Sequence, residues 1–493
     1  MREDMSDIST ERAAATNGTE VDVDPRRWFL LAVTVVAQLM VVLDSTVVNI
    51  AMPSAQDALG ISDPDRQWII TAYALAFGGL LLLGGRIADH IGRKRAFLIG
   101  LIGFAAASAL GGAATNAGML FAARGLQGAF GALLAPAALA LITVTFTEAR
   151  ERAKAFALFG AVTGGGAAVG LLIGGLLTEY ASWRWCLFIN IPIAVIAAVA
   201  AVPNIRESRI GGRARYDVVG AVLCTVGLVA LVYGFTVAAG NGWGSVDTLV
   251  LVIGGVVLLA AFTVVEARSA APLLPLRILL NRNRGTAYLT SVLLGVGSMG
   301  MFLFMTYYLQ ETLGYSALLA GVAYLPFSAG VVLTAGLTGT LLPRFGARAV
   351  MTVGAVLTAL AMLWLTRLDV DSTYFGVVLP AFIVMSVGMG LVYVPLNSVS
   401  LIGVAPSDAG VASALVNTSQ QVGGSLGTAL LNTVFTTSVA GYIAAHAGAD
   451  LAVATIHGYK VAFAVGAALI MVSAILVFAL VRDDSQNAAP GGS

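Results

Sequence analysis

One acidic residue lies inside a long uncharged run near the start of the chain. Asp44 belongs to VVLDSTVVNIAMP (41–53), and the apolar stretch before it, 28–43, carries no charge. A low-dielectric environment disfavours the ionised form of a carboxyl group, so such a group can load and release protons near neutral pH. Asp44 is therefore a candidate for coupling to protons or cations. The alternative is a structural hydrogen bond to Thr46 or Asn49.

A cation lies in a similar setting further along. Arg124 occurs in MLFAARGLQGAFG (119–131), inside an apolar stretch. An arginine within a membrane is costly unless it faces protein or water. We expect it to point inward, to hydrogen-bond Gln127 or polar groups of the first helix, and to act on Asp44. The alternative is that its long side chain reaches the membrane interface.

Composition defines the class of protein that must position these groups. The 493 residues are 58% hydrophobic and 11% charged, with a mean hydropathy of +0.90. Soluble domains carry about 25% charged residues, so the chain is predicted to cross a membrane many times. Cys186 and Cys224 lie in apolar stretches and suggest no disulfide framework.

The hydrophobic runs are long and continuous, which predicts helices rather than barrel strands. About fourteen windows are long enough to span the bilayer. They are 28–51, 67–87, 96–112, 118–144, 154–178, 185–203, 216–238, 247–266, 285–310, 316–341, 349–366, 374–401, 409–440 and 460–481.

Alternate connections between these windows are rich in Lys and Arg. The basic ones are 90–95, 148–154, 206–217, 276–284 and 344–348. Because such loops stay in the cytoplasm, both termini are predicted to be cytoplasmic, in a multi-pass protein of the inner (cytoplasmic) membrane.

The basic connections also divide the chain into blocks of six, two and six spans. The predicted parts are a polar tail (1–27), a six-helix bundle (28–205), a basic segment with two extra helices (206–284), a second six-helix bundle (285–481) and a second tail (482–493). The segments GGRIADHIGRKR (84–95) and GTLLPRFGARAV (339–350) form a weak repeat at equivalent places in the two bundles. Internal repeats of this kind are typical of transporters.

Several motifs resemble those of the major facilitator superfamily. GRIADHIGRKR (85–95) is similar to its signature loop, and RGLQGAFGALLAPAALALI (124–142) to its fourth-helix motif. LDSTVVNIAMP (43–53) resembles the first-helix motif of the fourteen-helix drug:proton antiporter branch, and 307–326 and 417–430 resemble second-half stretches. The resemblance implies an all-α membrane protein of two six-helix bundles plus two additional central helices.

The fifth-helix motif departs from the pattern of antiporters. In AAVGLLIGGLL (167–177), Leu171 stands where a proline is expected, so the residue that supplies the usual bend is absent. The small-residue spacing that permits close helix packing is kept. It is formed by Gly166, Gly170, Gly174 and Gly175.

The resemblance also implies roles for single residues. A conformational latch would comprise Gly85, Asp89, Gly92, Arg93 and Lys94, with Asp89 pairing with a nearby arginine and a neighbouring helix N-terminus. The alternative is a charged loop that only obeys the positive-inside rule. Proton coupling would fall on Asp44 and Arg124.

Polar and aromatic residues in the spans are candidates for a substrate cavity, although each could equally join helices. The cavity prediction comprises Thr46, Asn49, Gln127, Tyr307, Asn397, Asn417 and Gln421. Gln420, Asn432, Tyr308, Tyr324 and Tyr393 belong to the same wider set. Glu266 and Glu311 fall at span ends, so no second acid lies mid-span.

Other classes of function find little support. No Gly-Lys-Ser/Thr of a P-loop occurs, and His90, His446 and His457 are predicted to lie in loops and form no HExxH. We expect no enzyme, metal, cofactor or nucleic-acid partner. The expectation is a monomer in the lipid bilayer that exports a drug-like small molecule in exchange for protons, driven by the proton gradient. The alternatives are a facilitator, an exporter of an endogenous metabolite, and a membrane sensor that does not transport.

Overall fold

A computed structural model describes most of the chain. The described residues are 27–146, 148–205, 207–208, 217–269, 272–274, 276–402, 404 and 409–482. Most of both predicted tails and most of the basic connection 206–217 therefore lie outside the described residues. Within the described ranges the protein is helical, with no strand.

In the first half, the described residues form seven helices. They are α1 (Arg27–Leu59), α2 (Trp68–Ile91), α3 (Arg93–Gly112), α4 (Ala117–Thr145), α5 (Ala149–Tyr180), the short α6 (Trp185–Phe188) and α7 (Asn190–Asn204). A helical hairpin follows, formed by α8 (Val218–Asn241) and α9 (Val246–Arg268).

The second half follows the hairpin and begins with a short helix. Its elements are α10 (Leu276–Leu279), α11 (Arg282–Tyr307) with a π-helical turn (Tyr308–Thr312), α12 (Ala317–Ala323), α13 (Leu325–Leu365), a π-helical turn (Tyr374–Val378), α14 (Leu379–Leu401), α15 (Ala409–Ala445) and α16 (Leu451–Leu480). α16 begins before the predicted window 460–481 because Asp450 caps it, accepting a hydrogen bond from the Ala452 amide at 2.9 Å.

The number of spanning helices agrees with the prediction. Among the described residues, eleven helices are long and apolar enough to cross a membrane, and the bent α2 makes a twelfth. α13 is two helices joined at Gly346, where the backbone leaves the helical region. α5 adds a shorter apolar stretch over Gly166–Tyr180. The predicted all-α membrane fold is confirmed, with up to fourteen spans.

The ends of the bundle can be named from the residues they carry. The basic face is the end where α1, α3 and α11 begin, at Arg27, Arg93 and Arg282. The opposite face is the end where α1 finishes and α2 begins, around Gln56 and Arg66.

The weak sequence repeat corresponds to two similar turns on the basic face. Gly92, between α2 and α3, has φ 106° and ψ 135°, and Gly346, inside α13, has φ 76° and ψ 162°. Side-chain-bearing residues rarely adopt positive φ. Each half therefore reverses direction through a glycine at the equivalent place.

Substituting Gly92 tests this turn. We expect Gly92→Ala to lower the melting temperature of the purified protein, because an alanine would be strained at φ 106° and its Cβ would overlap the Glu207 carboxylate. Gly85→Ala is the matched control, since its Cβ would lie 3.6 Å from Pro136 Cβ, an ordinary contact. Equal melting temperatures for the two variants would contradict this account.

Candidate functional site

The two mid-span charges form an ion pair inside the first half. Arg124 Nη1 donates to Asp44 Oδ2 at 2.6 Å, and both side chains are essentially inaccessible to solvent. The other carboxylate oxygen, Oδ1, accepts hydrogen bonds from Gln127 Nε2 and Asn190 Nδ2, each at 2.8 Å. The carboxylate thus receives three hydrogen bonds, one of them from the guanidinium of Arg124.

Arg124 is held by further groups around the pair. Its Nε donates to the Ile69 carbonyl at 2.9 Å, Nη1 also donates to Gln127 Oε1 at 2.8 Å, and the guanidinium lies 4.6 Å from the centre of the Tyr73 ring. Ser108 Oγ accepts from Gln127 Nε2 at 2.7 Å and from Asn190 Nδ2 at 3.2 Å.

Five helices supply this network. Asp44 lies midway along α1, Ser108 on α3, Arg124 and Gln127 one turn apart on α4, and Asn190 at the start of α7; α2 supplies the Ile69 carbonyl and the Tyr73 ring. Removing one member of a buried ion pair costs about 3–5 kcal/mol, because the other charge is left uncompensated. The network therefore fixes how these helices sit against one another.

The side chains of Thr46 and Asn49 donate hydrogen bonds to the backbone of their own helix. Thr46 Oγ1 donates to the Val42 and Leu43 carbonyls at 3.0 and 3.1 Å, and Asn49 Nδ2 donates to the Ser45 carbonyl at 2.9 Å. Neither residue donates to Asp44, so the hydrogen bonds that this carboxylate accepts come from α4 and α7 and not from its own helix. Snorkelling of Arg124 was wrong, because the guanidinium is buried.

Sequence reasoning missed Asn190 and Ser108. Both are fully buried, and they join Asp44 to α7 and α3. Asn190 is a polar residue near the start of an otherwise apolar window, which was the available signal. Gln127 was predicted to line a cavity, but the structure places it in the ion-pair network with no exposure.

A second cluster joins the two halves at the opposite face. Arg66, 3% exposed, lies 4.0 Å from the centre of the Tyr307 ring and 5.1 Å from that of Phe435, and contacts Asp63 Oδ1 at 3.5 Å. The Tyr307 hydroxyl donates to Gln56 Oε1. Tyr307 was predicted to line the substrate cavity, but it is fully buried here at the junction of the halves, which corrects that prediction for this conformation.

Three further hydrogen bonds between the two halves extend the junction. Gln310 Nε2 donates to the Ile50 carbonyl at 3.0 Å, and Asn432 Nδ2 to the Asp63 carbonyl at 3.1 Å. Glu179 Oε2 accepts from the Leu318 amide at 2.9 Å. All of these contacts lie toward the opposite face, which is therefore closed.

The other cavity candidates differ in exposure. Asn397 and Asn417 are exposed and Gln421 is half-buried, and the Asn397 amide donates to the carbonyl of Tyr393 at 2.8 Å. Gln420 Nε2 donates to the Tyr393 hydroxyl at 2.9 Å. Asn49, which was predicted to line the cavity, is buried, with an exposed fraction of 6%. Tyr308 and Tyr324 are completely buried among other aromatic rings, so they do not line an open surface.

The latch candidates form a compact turn at the basic face. Asp89 lies within α2, not after it, and its Oδ1 pairs with Arg93 at 3.1 Å. The N-terminus of α3 is capped by Glu207, whose oxygens accept from the Lys94 and Arg95 amides at 3.1 and 3.3 Å.

The histidine prediction needs correction as well. His90 lies in the last turn of α2 and His457 inside α16, not in loops, while His446 directly follows α15. The described residues contain no cluster of three or more metal-binding side chains.

The glycines of α5 lie close against α1. A Cβ on Gly166 would meet Leu39 and Val42 side chains at 3.1 Å, one on Gly170 would overlap Thr46, and one on Gly174 would lie 2.9 Å from Val47 Cα. Across the seam to the second half, Leu171 is buried and its carbonyl faces Gly321 of α12. α5 is a single helix through Leu171.

Comparison with known proteins identifies the family. The family profile described as Major Facilitator Superfamily matches residues 34–428. The chain is 49% identical to the puromycin resistance protein pur8 of Streptomyces alboniger, over 99% of this chain and 97% of that protein. It is 40% identical to the cephamycin export protein CmcT of Amycolatopsis lactamdurans, over 86% and 88% of the two chains.

Solved structures support the same fold. A bacterial homologue of the human lysosomal transporter Spinster, in an inward-facing and unoccupied conformation, superposes with a TM-score of 0.67 at 16% identity, over 95% of this chain and all of that one. The POT family transporter PepTSo gives the same TM-score and identity, over 92% of this chain and 97% of that one. The chain therefore belongs to the major facilitator superfamily, in its drug-efflux branch, and is a multi-span membrane transporter.

Proposed function

We propose that this protein exports a drug-like or antibiotic small molecule across the cytoplasmic membrane in exchange for protons. The observation that carries the proposal is the buried Asp44–Arg124 pair, an ionisable carboxyl within a membrane-spanning bundle. The relatives named for resistance to or export of antibiotics support a drug-like substrate. The exchange needs no cofactor besides the proton gradient.

Protonation of Asp44 would change the network in a defined way. An ionised Asp44 accepts hydrogen bonds from Arg124, Gln127 and Asn190. A neutral carboxyl is a weaker acceptor and leaves the guanidinium without its counter-charge. The weakening of these interactions would then change how α1 packs against α4 and α7.

Alternating access would connect this step to the opposite face. The junction around Arg66 and Tyr307 closes that face, so the cavity would open toward the basic face, which we place in the cytoplasm on the positive-inside rule. Asn397, Asn417 and Gln421 would line the path taken by the substrate. The Asp89–Arg93 pair would act as the latch when the basic face closes.

Replacing the acid tests proton coupling. We expect Asp44→Asn to abolish proton release driven by puromycin in proteoliposomes with an imposed pH gradient, because the side chain no longer titrates. Asp57→Asn, an exposed carboxyl on the same helix, is the matched control and should exchange normally. Persistent substrate-driven proton release in Asp44→Asn would refute the assignment.

The same variant needs a check on folding, because it leaves Arg124 buried without a counter-charge at a cost of about 3–5 kcal/mol. The double variant Asp44→Asn/Arg124→Gln removes both charges and should regain stability without regaining coupling. If the unmodified protein let puromycin equilibrate across the membrane regardless of the pH gradient, the result would instead indicate a facilitator.

Weakening the junction tests alternating access. We expect Arg66→Lys to open the opposite face, because lysine loses the planar stacking of guanidinium on the Tyr307 and Phe435 rings. A cation–π contact contributes about 0.5–2 kcal/mol, so the closed population should fall by about 2- to 30-fold relative to the open one.

Distances between spin labels would report the change. Labels introduced by Asp57→Cys and Asp371→Cys lie on exposed positions of the two halves at the opposite face, in a background where Cys186 and Cys224 are replaced by alanine. Arg367→Lys, a stacked arginine outside the junction, is the control. An unchanged distance distribution in Arg66→Lys would count against the junction as a gate.

A further inference from the structure

Two acidic side chains outside the Asp44 network are buried at the base of the α8–α9 hairpin. Asp217 precedes α8 and is 7% exposed, and Glu266 lies in the last turns of α9 and is 3% exposed. One oxygen of each has a backbone partner. Asp217 Oδ1 accepts from the Gly220 amide at 2.6 Å, and Glu266 Oε2 from the Leu274 amide at 3.0 Å.

The two carboxyl groups approach the same point. A Cβ built on Gly220 would lie 2.8 Å from Glu266 Oε1 and 3.0 Å from Asp217 Oδ1. The remaining oxygens, Glu266 Oε1 and Asp217 Oδ2, are buried and have no hydrogen-bond partner among the described residues. Two ionised carboxylates so close together would repel, and burial would add an uncompensated charge.

The charged and titratable groups around the pair are few on the described elements that pack there. From α2, Arg86 acts electrostatically on Glu266, but it is exposed and donates to the Pro272 carbonyl at 3.3 Å. From α8, the Cys224 thiol is the nearby titratable group. Arg86 can offset part of one negative charge but provides no recorded hydrogen bond to either free oxygen.

We propose that Asp217 and Glu266 share one proton, so that protonated Glu266 donates from Oε1 to Asp217 Oδ2. This single ligand satisfies both unpartnered oxygens and removes one of the two charges. A Mg²⁺ or Ca²⁺ ion is a poorer fit because it needs about six or more oxygen ligands, and the described residues contain no group of three or more acidic or other metal-binding side chains.

The shared proton would join parts of the chain that are distant in sequence. It ties the start of α8 to the end of α9, and through the 272–274 segment to Arg86, which belongs to the signature-loop region of α2. The hairpin would then hold a proton site that is independent of Asp44 and of the transport proposed for it. Loss of that proton would loosen the hairpin from α2 at the basic face.

Infrared difference spectroscopy of the full-length protein in lipid nanodiscs tests the proposal. We expect a protonated-carboxyl C=O stretch at neutral pH that shifts in D₂O and disappears in Glu266→Gln. The band should also be lost or displaced in Asp217→Asn, in which asparagine still caps α8. It should remain in Asp44→Asn and in Asp247→Asn, an exposed carboxyl on the same hairpin.

Two results would overturn the shared proton. The first is no such band in the unmodified protein, or a band that survives in both Glu266→Gln and Asp217→Asn. The second is a rise in melting temperature with added MgCl₂ or CaCl₂ that Glu266→Gln abolishes, which would make the ligand a metal ion. Should Glu266→Gln fail to fold, Asp217→Asn decides the assignment by the same band.

Discussion

The cost of burying charge in an apolar bundle is the constraint on which the first half depends. Asp44 and Arg124 are both removed from solvent, and each unpaired charge would destabilise the fold by several kcal/mol. Gln127, Asn190 and Ser108 complete the coordination of the pair. The donors to the carboxylate lie on α4 and α7, and Ser108 of α3 accepts from two of them, so satisfying one carboxylate requires that α1, α3, α4 and α7 meet at a single depth in the membrane.

The same first helix carries two kinds of contact. One face presents Asp44 to the polar network, and another packs against the glycines of α5, where Val47 approaches Gly174 too closely for a side chain. α5 in turn packs through Gly175 and Leu171 on α12 of the second half. A change in the charge of Asp44 therefore acts on a helix that is in direct contact with the junction between the halves.

The scarcity of charged residues in membrane spans explains which site residues could be predicted from the sequence. Asp44 and Arg124 were found because charge is scarce in spans and expensive there, and the span count followed from hydropathy. Asn190 and Ser108 were missed because polar residues in apolar helices more often join helices than serve a site. The prediction for Tyr307 was wrong because a tyrosine within a span can face either a cavity or the other half of the protein, and the sequence does not distinguish the two. Glu207 could not be linked to Lys94 because the contact spans a long sequence separation.

The hairpin sets a limit on how the halves can move. Thr236 of α8 accepts from Gln67, the residue before α2, at 2.7 Å, while the Phe235 carbonyl accepts from Thr433 of α15 at 2.7 Å, so α8 bridges the two halves at the closed face. Opening that face must break one of these bonds or carry the hairpin along with one half. Each neutral hydrogen bond contributes about 0.5–1.5 kcal/mol, and a cation–π contact such as that of Arg66 on Tyr307 contributes about 0.5–2 kcal/mol. The bridge and the Arg66 junction are therefore of similar strength, and opening the face works against both.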